Sequence, residues 1–310
     1  MSVAENEKIA FIFPGVGIEH CGHEAGFVAR HRCTVSPYLE QASERADVDL
    51  AQAIAAGELR SLSNLAREIL TYAFNCAAAA VYMRAGLVPT LMAGHSMGIY
   101  SAMVSAGSLS FSDGLGAVEK AHELVQATCA GKGFGMAAVV GLSAAEVTAL
   151  LDTEAYADSC IANVNNATSV VLTGRRRELE LFLKEAEAHG ALKAGLLGVD
   201  APYHHPVWAA GASAAFRHHL QTLTWQSPDC PIISSIDGSL LTDVDTLLDF
   251  TARNLCSPIC WQGVTEAMGV AGIGLAVECG AGVSLTQNAR FVKGCPPHTN
   301  IRTVQWRLGI

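Results

Sequence analysis

A five-residue segment, Gly94-His95-Ser96-Met97-Gly98, carries the clearest chemical signal in the sequence. It fits the Gly-x-Ser-x-Gly pattern, in which a serine stands at the tip of a sharp strand-to-helix turn with its hydroxyl exposed as a nucleophile. Glycines flank such a turn because side chains there would clash across the bend. The helix that follows directs its first backbone amides at the serine, an arrangement that suits a developing oxyanion.

A serine nucleophile needs a base, and histidine is the usual one. His204 and His205 lie in Ala201-Pro-Tyr-His-His-Pro206, a loop bracketed by prolines. The free amides of Pro14-Gly15-Val16-Gly17, after the first apolar run, could donate to an oxyanion. Asn163 and Asn165 alternate along a predicted strand, so both could face one cleft, although hairpin-turn chemistry explains them equally well.

Metal and dinucleotide chemistry are not expected. His20, Cys21 and His23 match no standard zinc spacing. The loop at 14–17 lacks both the third glycine of a dinucleotide motif and the Gly-Lys-Ser/Thr ending of a phosphate loop. The ten cysteines are scattered without a Cys-x-x-Cys pair, so we predict reduced thiols.

Short apolar runs closed by glycine recur along the chain and must position these groups. They occupy 8–13, 87–93 and 274–279, and helical patterns follow at 65–83 and 113–128. Buried parallel strands read as continuous apolar runs, and strands that alternate with helices favour an α/β fold with a parallel sheet.

The middle of the chain has a different order of elements. Strand patterns at 135–142, 159–164, 169–174 and 191–199 alternate with helical patterns at 144–155 and 176–189. Ser143 and Glu146 form a capping-box pattern at the start of the first helix. This strand-helix-strand-strand-helix-strand order predicts a ferredoxin-like subdomain over 131–199, inserted into a catalytic domain made of 1–130 and 200–310.

The composition limits which binding partners and which cellular location we expect. The 310 residues carry 20 Lys plus Arg against 29 Asp plus Glu, and no basic run suggests nucleic acid. The uncharged stretch 85–112 is interrupted by glycines and Pro89, so we expect no membrane span there. The N-terminus does not read as a signal peptide, and the expected location is cytoplasmic.

Seven segments, in order, resemble the malonyl-CoA:acyl-carrier-protein transacylases, which include stand-alone acyltransferases of polyketide and fatty acid synthesis. The resemblance runs from about residue 9 to residue 290. The segments are FIFPGVG (11–17), AGHSMGIYSAMVSAGSLSFSDGL (93–115), MAAVVGLS (136–143), ANVNNATSVVLTG (162–174), APYHHP (201–206), NLCSPICW (254–261) and VECGAGVSLT (277–286). The resemblance implies an α/β-hydrolase-like large domain with a ferredoxin-like small one, in agreement with the strand pattern.

The resemblance also implies roles for particular residues. Ser96 matches the acylated nucleophile, and His204 matches its base, with His205 as the alternative. Asn254 matches a position whose backbone carbonyl holds the histidine ring, so no acidic third member is required. Val16 and Met97 match the two amide donors of the oxyanion hole.

One departure from the family pattern bears on the substrate. Malonyl-specific members carry an arginine on the helix after the nucleophile segment, and this chain has Ala121 there. Lys120 and His122 flank it but point about 100° away on a helix, and Ile99 replaces a residue that is usually acidic. A buried carboxylate without a partner costs several kcal/mol. We expect the acyl pocket to be lined by His95, Ile99, Ala121, His122, Asn163, Asn165 and Tyr203.

Three hypotheses follow. The first is an acyltransferase for a non-carboxylated acyl group, with acyl-CoA and phosphopantetheinyl carrier protein as substrates and no tightly bound cofactor; malonyl is retained if Lys120 or His122 reaches the pocket. The second is an editing hydrolase of acyl carrier protein. The third is a non-catalytic docking module, disfavoured because nucleophile and base are both present. Arg175, Arg176 and Arg177 are a candidate docking patch for acidic carrier protein, with a solvated charged face as the alternative.

Overall fold

A computed structural model describes residues 7–16, 22–129, 131–206 and 212–310. The strands are β1 (Ile9–Phe13), β2 (Pro89–Gly94), β3 (Phe134–Val140), β4 (Cys160–Asn166), β5 (Ser169–Arg175), β6 (Lys193–Leu196), β7 (Ile232–Ile233), β8 (Leu240–Leu241), β9 (Ile259–Cys260), β10 (Leu275–Glu278) and β11 (His298–Thr299). The helices are α1 (Glu24–Arg30), α2 (Arg32–Ala46), α3 (Leu50–Ala56), α4 (Asn64–Arg84), α5 (Gly98–Ser105), α6 (Phe111–Cys129), α7 (Ala144–Leu151), α8 (Arg176–Ala188), α9 (Ala212–Leu220), α10 (Val244–Asn254), α11 (Trp261–Val270), α12 (Ser284–Ala289) and α13 (Val304–Leu308).

The larger sheet has the order β11-β10-β1-β2-β7-β8 and is parallel except at the β7–β8 edge. Its central strand β1 is buried along its whole length because both faces are covered. Phe11 and Phe13 enter the large core cluster on one face, whereas Ala10 and Ile12 enter a second cluster with Trp261 on the other. This period of two explains why β1 reads as an unbroken apolar run.

Three strand ends meet at one edge of this sheet. Phe13 is in register with Gly94, and Ile12 with Glu278, so β1, β2 and β10 finish side by side. The loops that leave this carboxyl edge include Pro14 and Gly15 and the turn at Ser96. Crevices at this edge are where open α/β sheets bind ligands.

The smaller sheet has the order β6-β3-β5-β4-β9. Its first four strands pair antiparallel in the ferredoxin-like arrangement, with α7 and α8 packed against them, as the sequence predicts. The predicted capping box is present, since Ser143 and Glu146 bond reciprocally at the start of α7. The two-residue strand β9 pairs parallel to β4 and comes from the chain after α10, so the smaller sheet also includes residues outside 131–199. The α/β fold class is confirmed, while the domain boundaries stay a prediction.

Some element bounds differ from those predicted. The helix expected over 144–155 ends at Leu151, and a separate 3-10 turn forms at Glu154–Tyr156. Asn165 and Asn166 belong to β4 and not to the turn, which is confined to 167–168. No helix in the described ranges combines the length and the apolar character needed to cross a bilayer.

Gly98 offers a test of how tightly β1 packs under α5. A Cβ atom at Gly98 would lie 2.1 Å from the Phe13 carbonyl oxygen, which is backbone and cannot move aside. We expect Gly98→Ala to lower the free energy of unfolding by about 2–3 kcal/mol, as overpacked cores do. Urea unfolding followed by circular dichroism measures the effect.

Gly116→Ala is the matched control, because nothing lies within 4 Å of a Cβ atom at that position in α6. This substitution is expected to raise the free energy of unfolding by about 0.5–1 kcal/mol through helix propensity. Equal stability of Gly98→Ala and the unsubstituted protein would contradict the described packing.

Candidate active site

Ser96 stands at the turn between β2 and α5 in a conformation that few residues adopt. Its φ is +54°, in the left-handed region, so the serine backbone is strained and its side chain is presented at the tip of the turn. The flanking glycines are required by contact, since a Cβ atom at Gly94 would lie 2.2 Å from the Ile99 amide nitrogen. The Gly-x-Ser-x-Gly segment therefore has the geometry that the sequence predicts.

His204 lies within hydrogen-bond reach of this serine. The distance from Ser96 Oγ to His204 Nε2 is 2.8 Å. The other ring nitrogen, Nδ1, donates to the Ser257 carbonyl oxygen at 3.0 Å, and the His204 amide donates to the Leu255 carbonyl at 2.9 Å. Both the backbone and the ring of His204 are thus held by the turn after α10, which fixes the tautomer that leaves Nε2 free to accept a proton.

Asn254 lies beside this pair and makes a contact in addition to the one that the resemblance implies. Its side-chain amide donates to the Ser96 backbone carbonyl at 3.2 Å. The Ser257 carbonyl, three residues later, accepts from the histidine ring. Hydrogen bonding to the Ser257 backbone, and to a smaller extent to the Asn254 backbone, raises the pKa of His204 against the larger effect of burial. Asn254 therefore also ties the turn after α10 to the serine.

Burial sets the protonation state of the imidazole. Desolvation, and next the neighbouring His95, lower the pKa of His204 to about 4. The ring is accordingly neutral near pH 7 and can accept the Ser96 proton. His95 is itself oriented by Asn165, whose Oδ1 lies 3.2 Å from His95 Nε2, and burial lowers the pKa of His95 as well.

The two predicted oxyanion donors flank the serine. Met97 caps the N-terminus of α5, and Val16 lies in the loop after β1. Within the described ranges, neither backbone amide donates a hydrogen bond to another residue. Gly15 brings the second loop close, because a Cβ atom there would lie 3.2 Å from Ser96 Cβ. The two amides stay the predicted donors to an oxyanion.

A cavity of about 1350 Å³ opens at the serine. Its walls include both members of the Ser96–His204 pair and most of the predicted acyl-pocket residues: His95, Ala121, His122, Asn163, Asn165 and Tyr203. Ile99 is the exception, since it is fully buried in the core beneath the turn and does not line the cavity. His205 points elsewhere, with its Nε2 3.0 Å from the Asp158 carbonyl.

The two basic side chains beside Ala121 both bond to carboxylates. Lys120 Nζ lies 2.8 Å from each oxygen of Glu123 and does not line the cavity. His122 does line it, and its Nδ1 lies 2.9 Å from Glu68 Oε2. The hydrogen bond to Glu68 raises the pKa of His122 and so favours its charged form.

Several cavity residues were missed by the sequence analysis. Glu68 and Thr71 line the cavity from α4, and Arg60, Arg67 and Arg302 line it from around its wall. The guanidinium of Arg67 donates to Asn64 Oδ1, near the start of α4. A stripe of polar residues along an otherwise buried helix (Asn64, Glu68, Thr71 and Asn75) was the available signal.

The candidate docking arginines are partly engaged within the chain. Arg175 pairs with Asp158 and lies over the Phe134 ring, and Arg176 pairs with Glu180 and Asp200. Arg177 is exposed, and no ion pair of the described residues includes it. His20 and Cys21 lie outside the described residues. Among the rest, no group of three or more His, Cys, Asp or Glu side chains is arranged to hold a metal ion.

Residues 33–287 match the model of the acyl transferase domain family, so this chain belongs to that family and is an acyltransferase. The malonyl CoA-acyl carrier protein transacylase of Escherichia coli strain K12 is 30% identical over 288 residues, which cover 90% of this chain and 91% of that protein. The transacylase of the same description from Bacillus subtilis strain 168 is 29% identical over 286 residues, covering 90% and 88%.

The solved structures give the same result. The acyl-carrier-protein S-malonyltransferase from Burkholderia pseudomallei 1710b is similar over 98% of this chain and 100% of that one, with a TM-score of 0.88 and 27% identity. The resemblance to the malonyl-CoA:acyl-carrier-protein transacylase family is therefore confirmed.

The lowered pKa of His204 predicts an unusually acidic limb in the pH profile of serine acylation. Only the neutral ring accepts a proton, so kcat/KM should rise with pH through about 4 and be level from about pH 5 to 7. The measurement is the rate of acyl-enzyme formation from pH 3.5 to 8, with circular dichroism to confirm folding at each pH. His205→Gln serves as the control and should keep the same limb, whereas a limb near 6.5 would argue against a buried His204 base.

Proposed function

We propose that this acyltransferase moves a non-carboxylated acyl group between CoA and carrier-protein thioesters through an acyl-Ser96 intermediate. The observation that carries the proposal is the combination of a Ser96–His204 pair at 2.8 Å with an alanine, Ala121, in the cavity wall where a malonyl-binding arginine is expected. Both neighbouring cations already have carboxylate partners, namely Glu123 for Lys120 and Glu68 for His122.

In the proposed chemistry, Ser96, His204 and the two backbone amides act both when the serine is acylated and when the acyl group leaves it. Ser96 Oγ attacks the thioester carbonyl carbon while its proton passes to His204 Nε2, and the Val16 and Met97 amides bind the resulting oxyanion. Collapse breaks the carbon–sulfur bond, and the leaving sulfur takes the proton from His204. A second thiol then attacks acyl-Ser96 by the same steps in reverse, and the hydroxyl is restored.

Charge is the reason for proposing a non-carboxylated substrate. A malonyl carboxylate beside Ala121 would join the carboxylate of Glu68, which is already bonded to His122. Arg60, Arg67 and Arg302 also line the cavity and are the cations that a carboxylated acyl group could use instead. A buried negative charge without its own partner costs several kcal/mol, and each 1.4 kcal/mol is worth about tenfold in binding. The guanidinium of Arg67 donates to Asn64 Oδ1, and both residues line the cavity.

A carrier protein is proposed as one of the two thioester partners. The description of the E. coli relative supports this, because it is an acyl carrier protein transacylase. Arg177 keeps its charge available for docking, whereas Arg175 and Arg176 are already paired, so the patch at 175–177 is weaker than its three charges suggest. Arg290 and Lys293 offer a second patch. We propose polyketide or fatty acid synthesis as the process and the cytoplasm as the location.

A malonyl transferase is the second candidate, because His122 lines the cavity and is favoured in its charged form. In that case a malonyl carboxylate would have to draw the imidazolium away from Glu68. An editing hydrolase would form the same acyl-Ser96 and differ only in using water as the acceptor.

Intact-protein mass after incubation with an equimolar mixture of acetyl-, butyryl-, hexanoyl- and malonyl-CoA tests the proposal. We expect uncharged acyl adducts, malonyl at less than about a tenth of the dominant species, and no adduct in Ser96→Ala. Dominant malonylation would favour the second candidate. Release of free acid from acyl carrier protein without an acceptor, above the Ser96→Ala background, would favour the hydrolase.

Ala121→Arg tests the position that decides the charge argument. A guanidinium in this part of the wall should pair with the malonyl carboxylate and raise the ratio of malonyl to butyryl loading by about tenfold or more, the worth of a hydrogen bond between charged groups. Lys120→Arg is the control, since Lys120 lies outside the cavity, and should leave the ratio unchanged. If the ratio were the same in Ala121→Arg, position 121 would not determine recognition of a carboxylate.

A further inference from the structure

Glu68 is a buried carboxylate in the wall of the substrate cavity, held by residues from two other parts of the chain. Its side chain on α4 is 8% exposed. Oε2 lies 2.9 Å from Nδ1 of His122, on α6, and Oε1 accepts from the Tyr203 hydroxyl at 3.0 Å. All three side chains line the same cavity as Ser96.

The acyl-transfer steps proposed above give this carboxylate no role. The base His204 is oriented by the Ser257 carbonyl, and the oxyanion donors are backbone amides. Stability does not explain it either, because replacing a buried ion pair with apolar residues of similar volume is often neutral or stabilising. A charge retained in a cavity wall without a part in the chemistry is a candidate for substrate recognition.

The chemistry of the cluster restricts what it can recognise. A carboxylate offers about four acceptor positions, and the described contacts use one on each oxygen. A further hydrogen-bond donor can therefore be accepted without displacing His122 or Tyr203. An additional anion at this cluster would lie next to the Glu68 carboxylate, so it would need one of the cavity arginines, Arg60, Arg67 or Arg302, as its partner.

Glu68 lies two helical turns before the residue of α4 that contacts the loop beside Ser96. Asn75, seven residues later on the same helix, donates to the Pro14 carbonyl next to Gly15, and Gly15 packs against Ser96. Seven residues of α-helix span about 10 Å. The recognised group should thus be several bonds beyond the thioester carbonyl.

We propose that Glu68, held by His122 and Tyr203, is a specificity determinant that selects acyl chains carrying a hydroxyl or amino donor several bonds from the thioester. The inference rests on the proposed acyl transfer at Ser96 and adds the class of acyl group. In both cases an O–H or N–H group of the acyl chain donates a hydrogen bond to the Glu68 carboxylate.

The test is a series of acyl-CoAs with one chain length and different ends: hexanoyl, 6-hydroxyhexanoyl, 6-aminohexanoyl and adipyl, together with octanoyl and 8-hydroxyoctanoyl. The quantity measured is kcat/KM for acyl-Ser96 formation, expressed as a ratio to the unsubstituted chain of the same length. We expect at least one donor-bearing chain to exceed a ratio of about ten, as for one hydrogen bond to a charged group, and adipyl to fall below about one tenth.

Variants assign the preference to this side chain. Glu68→Ala should bring the ratio for the preferred chain to about one. Glu68→Gln, which keeps an acceptor oxygen but no charge, should retain part of a hydroxyl preference and lose an amino preference, so the two donors are distinguished. Glu123→Gln, a carboxylate paired outside the cavity, is the matched control and should leave every ratio unchanged.

The ratio of kcat/KM values also distinguishes direct recognition of the acyl chain by Glu68 from an effect of Glu68 on the position of His204. If Glu68 acted only through Tyr203 on the loop that carries His204, its variants would slow all chains equally and leave the ratios constant, which would overturn the inference. Equal loading of plain and donor-bearing chains would overturn it too, while the proposed function would stand. Preference for adipyl would overturn both. Should Glu68→Ala fail to fold, the unsubstituted protein and Glu68→Gln still decide the outcome.

Discussion

The site depends on the strained backbone of Ser96, and its partner His204 also has a positive φ, +62°. Ser96 is held at φ +54° because β2 must turn into α5 within a few residues while α5 packs directly on the end of β1. The close contacts of Gly94 with Ile99 and of Gly98 with Phe13 leave no room for side chains on either side of the serine. The strain is stabilised by the parallel pairing of β1 and β2 in a fully buried sheet. Hydroxyl placement is therefore a property of the sheet core and not of a flexible loop.

His204 reaches this serine through a second set of constraints, from distant parts of the chain. In the turn after α10, the Leu255 carbonyl accepts from the His204 backbone amide and the Ser257 carbonyl accepts from the His204 ring. Asn254, the last residue of α10, donates from its side chain to the Ser96 carbonyl. A few residues later the chain forms β9, which pairs with β4 in the smaller sheet. Because β4 also carries Asn165, which orients His95, the two sheets are linked through the active-site wall itself.

Sequence patterns were sufficient for the features that depend on periodicity or on special backbone geometry. The glycines around Ser96, the apolar run of β1 and the capping box at Ser143 each have a local physical cause that is visible in the residues. The contacts that depend on tertiary placement were not accessible in this way. Any residue has a carbonyl, so Ser257 could not be distinguished from Asn254 as the ring acceptor. Proximity to Ser96 along α5 suggested a pocket position for Ile99, but the helix turns that side chain into the core.

The acyl group that the cavity can accept depends on all the charged side chains in its wall, including Glu68, and not on position 121 alone. Ala121 alone implies an apolar wall, and His122 alone implies a substitute cation. With Glu68 included, the formal charges of the pair cancel when His122 is protonated, and hydrogen-bonding capacity remains on the carboxylate. Under the proposed recognition, the Glu68 cluster selects acyl chains by the donors that they bring, while Arg60, Arg67 and Arg302 add positive charge to the same cavity. Ala121 and the buried Glu68 are then two parts of one proposed change, from recognition of an anion to recognition of a donor.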